Sequence, residues 1–215
     1  MEQQSSSALA QPHVQRLVVG PFGTNCYIVR CPVTDEAVII DPAANPDLIV
    51  KTVADCKPQR ILLTHGHMDH VGAVTAVKAR LGLPVGLHRL DAGLAQIAPD
   101  FALENEAKLP LGQLAISVMH TPGHTPGSVT FLVGREAFVG DLIFPGGPGV
   151  TRTPVDFDRI LKSITGRILT LPPDTRLHPG HGEGLTVAKA REEVADFLRR
   201  PAKPHLCGEV RWDGS

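Results

Sequence analysis

Short apolar runs separated by turn residues dominate the first part of the chain. Leu17-Val18-Val19, Asn25 to Val29 and Ala37 to Ile40 read as three strands, parted by Pro21-Phe22-Gly23-Thr24 and by Cys31-Pro32-Val33-Thr34-Asp35. This spacing predicts an antiparallel meander. Asp41-Pro42 ends the third run. Asn45-Pro46 has the form of a helix cap followed by proline at the first helical position. Leu48, Val50 and Val53 then mark an amphipathic helix to about Asp55. Arg60 to Thr64 reads as a buried strand, and Val71, Val74, Val77 and Leu81 recur close to helical spacing, which predicts a helix over 71–81. Leu83 to Leu87 is a further short strand, and 91–97 a short helix.

The second half follows a similar order. Leu114 to Met119, Ser128 to Val133 and Ala137 to Gly140 read as strands. Asp156 is placed to cap a helix whose apolar stripe is Ile160, Leu161, Ile164 and Ile168. Arg176 to His178 is a short strand. Thr186 is placed to cap a last helix carrying Val187, Ala190, Val194, Phe197 and Leu198 on one face. Strands followed by alternating helix and strand, twice over, predict an α/β (α+β) chain with two packed sheets and helices on the outer faces. Residues 1–13 read as a disordered tail and 14–215 as one domain.

Composition narrows the function classes. At 42% hydrophobic and 20% charged, the 215-residue chain has enough apolar surface for a large core. A net charge of −1 points away from nucleic acid and anionic membranes. No apolar run reaches the ~20 residues of a membrane span. The polar start, Met1 to Ser7, does not have the form of a signal peptide. Cys26, Cys31, Cys56 and Cys207 lack CxxC spacing and read as free thiols in a reducing cytoplasm.

The candidate chemistry lies in turns. Thr64-His65-Gly66-His67-Met68-Asp69-His70 puts four potential metal ligands between a strand and a helix. Buried together without a cation, three imidazoles and a carboxylate would pay heavily in desolvation. His124, Asp141 and His181 each adjoin a glycine at the end of an apolar run. If those strand ends share one edge, five imidazoles and two carboxylates converge, too many for one tetrahedral zinc and suited to two metals. On this reading His65, His67 and His124 hold one ion, Asp69, His70 and His181 the other, and Asp141 bridges. The cofactor is then two divalent ions: zinc first, with iron or manganese open, since no cysteine joins the set. His13, His88, His120, His178 and His205 read as structural or surface residues. Asp41 reads as structural, with a hydrogen bond to the ligand loop in reach.

The HxHxDH string, with Gly123-His124, Gly140-Asp141 and Gly180-His181-Gly182 in that order, resembles the metallo-β-lactamase superfamily from about Leu17 to about Arg199. Gly20 to Tyr27 and Ile40-Asp41-Pro42 are most similar to the glyoxalase II (hydroxyacylglutathione hydrolase) branch. The resemblance implies an αββα sandwich of two mixed sheets and makes the seven residues the metal ligands. Two departures bear on glutathione recognition: glyoxalase II carries a further helical C-terminal domain, and Leu142 to Gly149 lacks its Cys-Gly-Arg.

The expected activity is hydrolysis of a small-molecule thioester or related ester by a metal-bridging hydroxide, with Asp69 in proton transfer. A single-iron persulfide dioxygenase is the alternative, and a non-enzymatic metal-binding module a further one. A β-lactamase is disfavoured by Gly140-Asp141. The acyl group, the thiol and the oligomeric state stay open.

Overall fold

A computed structural model of the chain describes residues 11–200 and 205–213. β1 (His13–Val19), β2 (Thr24–Arg30), β3 (Glu36–Ile40), β4 (Lys57–Leu62), β5 (Val85–Leu87) and β6 (Phe101–Ala102) form one sheet in that order. Its first two junctions are antiparallel and the next three parallel. The second sheet begins with β7 (Lys108–Leu111), β8 (Leu114–His120), β9 (Val129–Val133) and β10 (Glu136–Gly140). A small hairpin, β11 (Ile143–Phe144) and β12 (Gly147–Pro148), follows. β13 (Arg176–Pro179) then joins β10 in parallel, and β14 (Leu185–Thr186) forms the edge.

Strand alternation sorts the core into three layers. Tyr27, Val29, Val38, Ile40 and Leu62 face Ile116, Val118, Phe131 and Phe138 between the sheets. Their sequence neighbours Ile28, Ile39 and Ile61 point outward beneath α1 (Pro46–Thr52), α2 (Met68–Val71) and α3 (Val74–Leu81). Ala137, Val139 and Leu177 likewise meet Phe157, Ile160 and Val194. Successive strand residues face opposite sides, and both sides are buried, so these strands read as continuous apolar runs. α4 (Ala92–Ala95) follows a single tight turn at Arg89–Asp91. α5 (Pro154–Ser163) and α6 (Val187–Leu198) complete the outer layer on the second sheet. The result is the αββα sandwich expected, with two mixed sheets.

Several local expectations are corrected. Of the expected tail, residues 1–10 lie outside the described residues, while His13 already pairs with Arg30 in β1. The helix over 71–81 is two helices. It starts at Met68 and breaks at Gly72-Ala73, where Ala73 N–H donates to Pro42 O at 3.0 Å. A Cβ at Gly72 would lie 2.6 Å from Ala43 O, so the chain steps around that turn. Asn45 does not cap α1. It takes a left-handed conformation (φ 54°), and its Oδ1 accepts from Gly20 N–H at 2.9 Å. Thr153, not Asp156, caps α5: its Oγ1 accepts from Asp156 N–H at 3.1 Å, with Pro154 in the first turn. Proline favours the first helical position, which places the cap at the residue before it. Thr186 caps α6 as expected, accepting from Lys189 N–H at 3.2 Å. Beyond α6, Val210 and Trp212 are buried in the outer layer, with Trp212 against Phe197.

Candidate metal centre

Strand direction decides where the ligand types meet. β3 and β4 run parallel, β10 and β13 run parallel, and β8 runs with β10 because β9 lies antiparallel between them. Their carboxyl ends open onto one rim, where α/β sheets collect ligands. Asp41 follows β3, His65 to His70 follow β4, His124 follows β8, Asp141 follows β10 and His181 follows β13.

All seven residues singled out from sequence meet there, in two groups. His65, His67 and His124 present ligand atoms within 4.8 Å of one another, and so do Asp69, His70 and His181. His67 Nδ1 is 2.9 Å from His124 Nε2, and His70 Nε2 is 3.3 Å from His181 Nε2. Asp141 lies between the groups. Its Oδ1 is 3.3 Å from His70 Nε2, and its Oδ2 is 3.7 Å from both His124 Nε2 and His181 Nε2. A third trio, Asp41, His65 and His70, is equally close. Asp41 is already engaged, however. Its Oδ1 accepts from Thr64 N–H at 2.8 Å, and its Oδ2 accepts from the Thr64 hydroxyl at 2.6 Å and from His70 Nδ1–H at 2.9 Å. It braces the loop, as the sequence suggested.

Partners behind the rings fix which nitrogen faces the rim. His124 Nδ1–H donates to Val150 O at 2.8 Å, and His181 Nδ1–H donates to Phe22 O at 3.2 Å. Carbonyls only accept, so each Nδ1 carries the hydrogen and each Nε2 turns its lone pair to the rim. His65 Nε2 is buried with no hydrogen-bond partner, and Asp141 Oδ1 lacks an aligned one. An unmet buried polar atom costs about 1–3 kcal/mol; a divalent cation would satisfy both. The backbone is cut close to the same atoms. A Cβ at Gly180 would lie 2.2 Å from Asp141 Oδ1 and 2.4 Å from His70 Cε1, so only glycine fits against the centre. These donors fit divalent ions well: imidazole and carboxylate, no thiolate.

The two groups differ electrically. Burial, reinforced by the neighbouring imidazoles, pushes His65 well below the usual histidine range, and burial also lowers His67. His65 and His67 are therefore neutral imidazoles. In the second, burial opposes charge on His70, yet Asp141 and Asp41 raise it to about 10. His181 holds Asp69 down at about 2 and is itself raised by Asp69.

The sheets are stitched together beside the second group. Asn25 Nδ2 donates to Pro179 O at 3.0 Å and to Gly182 O at 2.9 Å, while Tyr27 Oη donates to Pro179 O at 2.6 Å. Asn25→Ala deletes both amide bonds in a buried setting. The expected loss is about 1–3 kcal/mol, read as a lower urea midpoint at unchanged m-value.

Among the other histidines, His178 lies closest to His181 in sequence but pairs with Glu136 and stacks on Phe138. His88 and His120 stack on each other. Sequence reasoning missed Asp91, which is fully buried and hydrogen-bonded to both loops of the first group. The available signal was its position: an acid shortly beyond β5, as Asp41 and Asp141 are acids just beyond β3 and β10.

An αββα sandwich whose rim gathers two His/Asp groups around a shared carboxylate defines a metallo-hydrolase. The sequence pattern of the metallo-beta-lactamase superfamily matches residues 19–181, and the chain belongs to that superfamily. It is 31% identical to hydroxyacylglutathione hydrolase GloC of Haemophilus influenzae, covering 83% of this chain and 95% of that one. Among solved structures, a di-iron-bound form of TTHA1623 is 37% identical, with TM-score 0.73 over 83% of this chain and 97% of the other. BLEG-1 B3 metallo-beta-lactamase is 34% identical, with TM-score 0.74 over 84% and 97%.

Proposed function

We propose that this protein hydrolyses a small-molecule thioester to a carboxylic acid and a free thiol, in the manner of the glyoxalase II branch. The supporting observation is the pair of complete ligand groups on either side of Asp141. His65, His67 and His124 would hold one divalent ion, Asp69, His70 and His181 the other, and Asp141 would reach both. Zinc suits the donor set; the di-iron relative makes iron an equal contender. Bound ions of this kind acidify a water and polarise an acyl oxygen.

The chain's own groups supply the rest. Asp41, Val150 O and Phe22 O hold the His70, His124 and His181 rings in the tautomer that faces the rim. Asp69 is partly exposed at the cleft and ionised near neutrality, so besides its place in the second ligand group its free carboxylate oxygen orients the attacking water and relays its proton. The departing thiol has an ordinary pKa of about 8.5 and needs little protonation to leave. Beside Asp69 is an apolar hollow of about 150 Å³ lined by Val19, Pro21, Phe22, Ala43, Ala44 and Met68. We assign it to the apolar part of the substrate. Phe22 is 72% exposed, so truncating it should leave the fold alone. Phe22→Ala is expected to raise KM roughly tenfold with kcat nearly unchanged, the signature of lost uniform binding.

The deciding experiment couples metal analysis of protein purified without added metal to thiol release from lactoylglutathione and acyl-coenzyme A. Near two metals per chain with thioester turnover supports the proposal. Two metals with no turnover on either thioester class overturns it. Oxygen uptake on glutathione persulfide with a single iron would assign the dioxygenase reading instead. Turnover of a β-lactam alone would follow the BLEG-1 likeness. The free state of all four cysteines supports a cytoplasmic setting.

A further inference from the structure

Asp91 touches both loops of the first ligand group. It lies at the junction of the tight turn Arg89–Asp91 with α4, and its own N–H is held by His88 O at 3.0 Å. Its side chain is fully buried. Oδ2 accepts from Gly66 N–H at 2.9 Å, between His65 and His67. The same oxygen accepts from the Thr125 hydroxyl at 2.6 Å, and Oδ1 accepts from Gly127 N–H at 2.7 Å, just after His124. Ser128 Oγ completes the cluster, 2.7 Å from Thr125 Oγ1.

Glycines let both loops close on this residue, Gly66 against its backbone and Gly127 against its carboxylate. A Cβ at Gly66 would meet Asp91 O at 2.7 Å, and one at Gly127 would meet Asp91 Oδ1 at 2.6 Å. Two loops 57 residues apart, one from each sheet, therefore close on a single acid that offers them nothing but acceptors. Among the described residues no hydrogen bond ties Asp91 to Asp69, His70 or His181; Asp41 braces His70, Phe22 O braces His181, and Asp69 pairs with His181 itself.

We infer that Asp91 is a positioning residue: it sets the separation of the His65/His67 pair from His124 and so controls metal affinity in the first group without altering the second. The inference rests on the two-metal reading above. Asn in its place would turn an NH₂ toward a donor it now accepts from, on one side or the other, and would unseat one loop. Changes to groups that orient metal ligands typically cost about 10–100-fold in affinity.

The test is a zinc titration of metal-stripped protein by calorimetry, with H67A and H181A assigning the two binding steps. D91N is expected to weaken the step lost in H67A by at least about tenfold and to leave the step lost in H181A within about twofold. Equal weakening of both steps, or no change in either, overturns the inference. Wild-type protein that binds no metal sinks the two-metal reading itself and is thereby told apart. If D91N loses its far-ultraviolet dichroism, T125V decides. It removes the hydroxyl bonds to Asp91 and Ser128 while leaving both backbone bonds to Asp91 in place, and the same selective weakening, a few-fold, is expected; affinities unchanged at both steps, or weakened equally, overturn the inference.

Discussion

Asp69→Asn protein should turn over its substrate about 10²–10⁴-fold more slowly than the parent, with its circular dichroism unchanged. Asp69 begins the turn of α2 and keeps 30% of its side chain exposed at the cleft. Its Oδ2 lies 3.3 Å from His181 Nε2. That bond, against the opposing effect of burial, holds its pKa at about 2, so near neutral pH the group is an anion able to accept a proton. Asn has the same shape and no basic oxygen of that kind. With only 30% of its side chain exposed but no apolar contact to lose, the change should barely move the unfolding midpoint of the metal-stripped protein. A drop in kcat in D69N protein that still carries both metals supports its role in proton transfer. Parental kcat in D69N protein would exclude it.

Stripping the metals should have the second large effect, on activity and stability together. Five imidazoles and two carboxylates crowd one rim, with His65 Nε2 buried and unmet. A ligand that binds only the folded state adds about 2.7 kcal/mol at a hundred times its Kd and about 4.1 kcal/mol at a thousand times. Chelation is therefore expected to abolish the proposed thioester cleavage and to lower Tm by several degrees, at about 2–4 °C per kcal/mol for a domain of this size. Adding back zinc or iron should restore both. Differential scanning calorimetry with and without a picolinate chelator reads this directly. An unchanged Tm after verified metal removal would mean that the rim is held by its protein contacts alone.

Much of this was legible in the chain because the signals are local. Thr64 to His70 declares four ligands within a seven-residue string, and a strand in front of it leaves only a turn to carry them. His124, Asp141 and His181 announce themselves by sitting at the ends of apolar runs next to glycine. The strand meander and the cap at Thr186 follow from spacing in the same way. Features built from distant partners were harder. Asp156 has the residue type of a helix cap, yet Pro154 fixes the first turn and makes Thr153 the cap. Asn45 looked like a cap, but Gly20, 25 residues away, claims its side chain. The short strands β6, β7, β11, β12 and β14 have too few residues to show a period. They exist because a neighbouring strand or hairpin partner offers hydrogen bonds.

By itself the sequence determined the kinds of ligand, their order along the chain, and the two-sheet class, since residue type and local spacing depend only on near neighbours. Tertiary structure decided which atoms meet: Asp41 on Thr64 and His70, and Asp141 within reach of His70 and His124. It also decided that Asp91 holds two loops from different sheets. Asp41 meets His70 across 29 residues and Asp91 meets Gly127 across 36. No periodicity encodes such a distance; it comes into being when parallel strands bring their carboxyl ends to one edge.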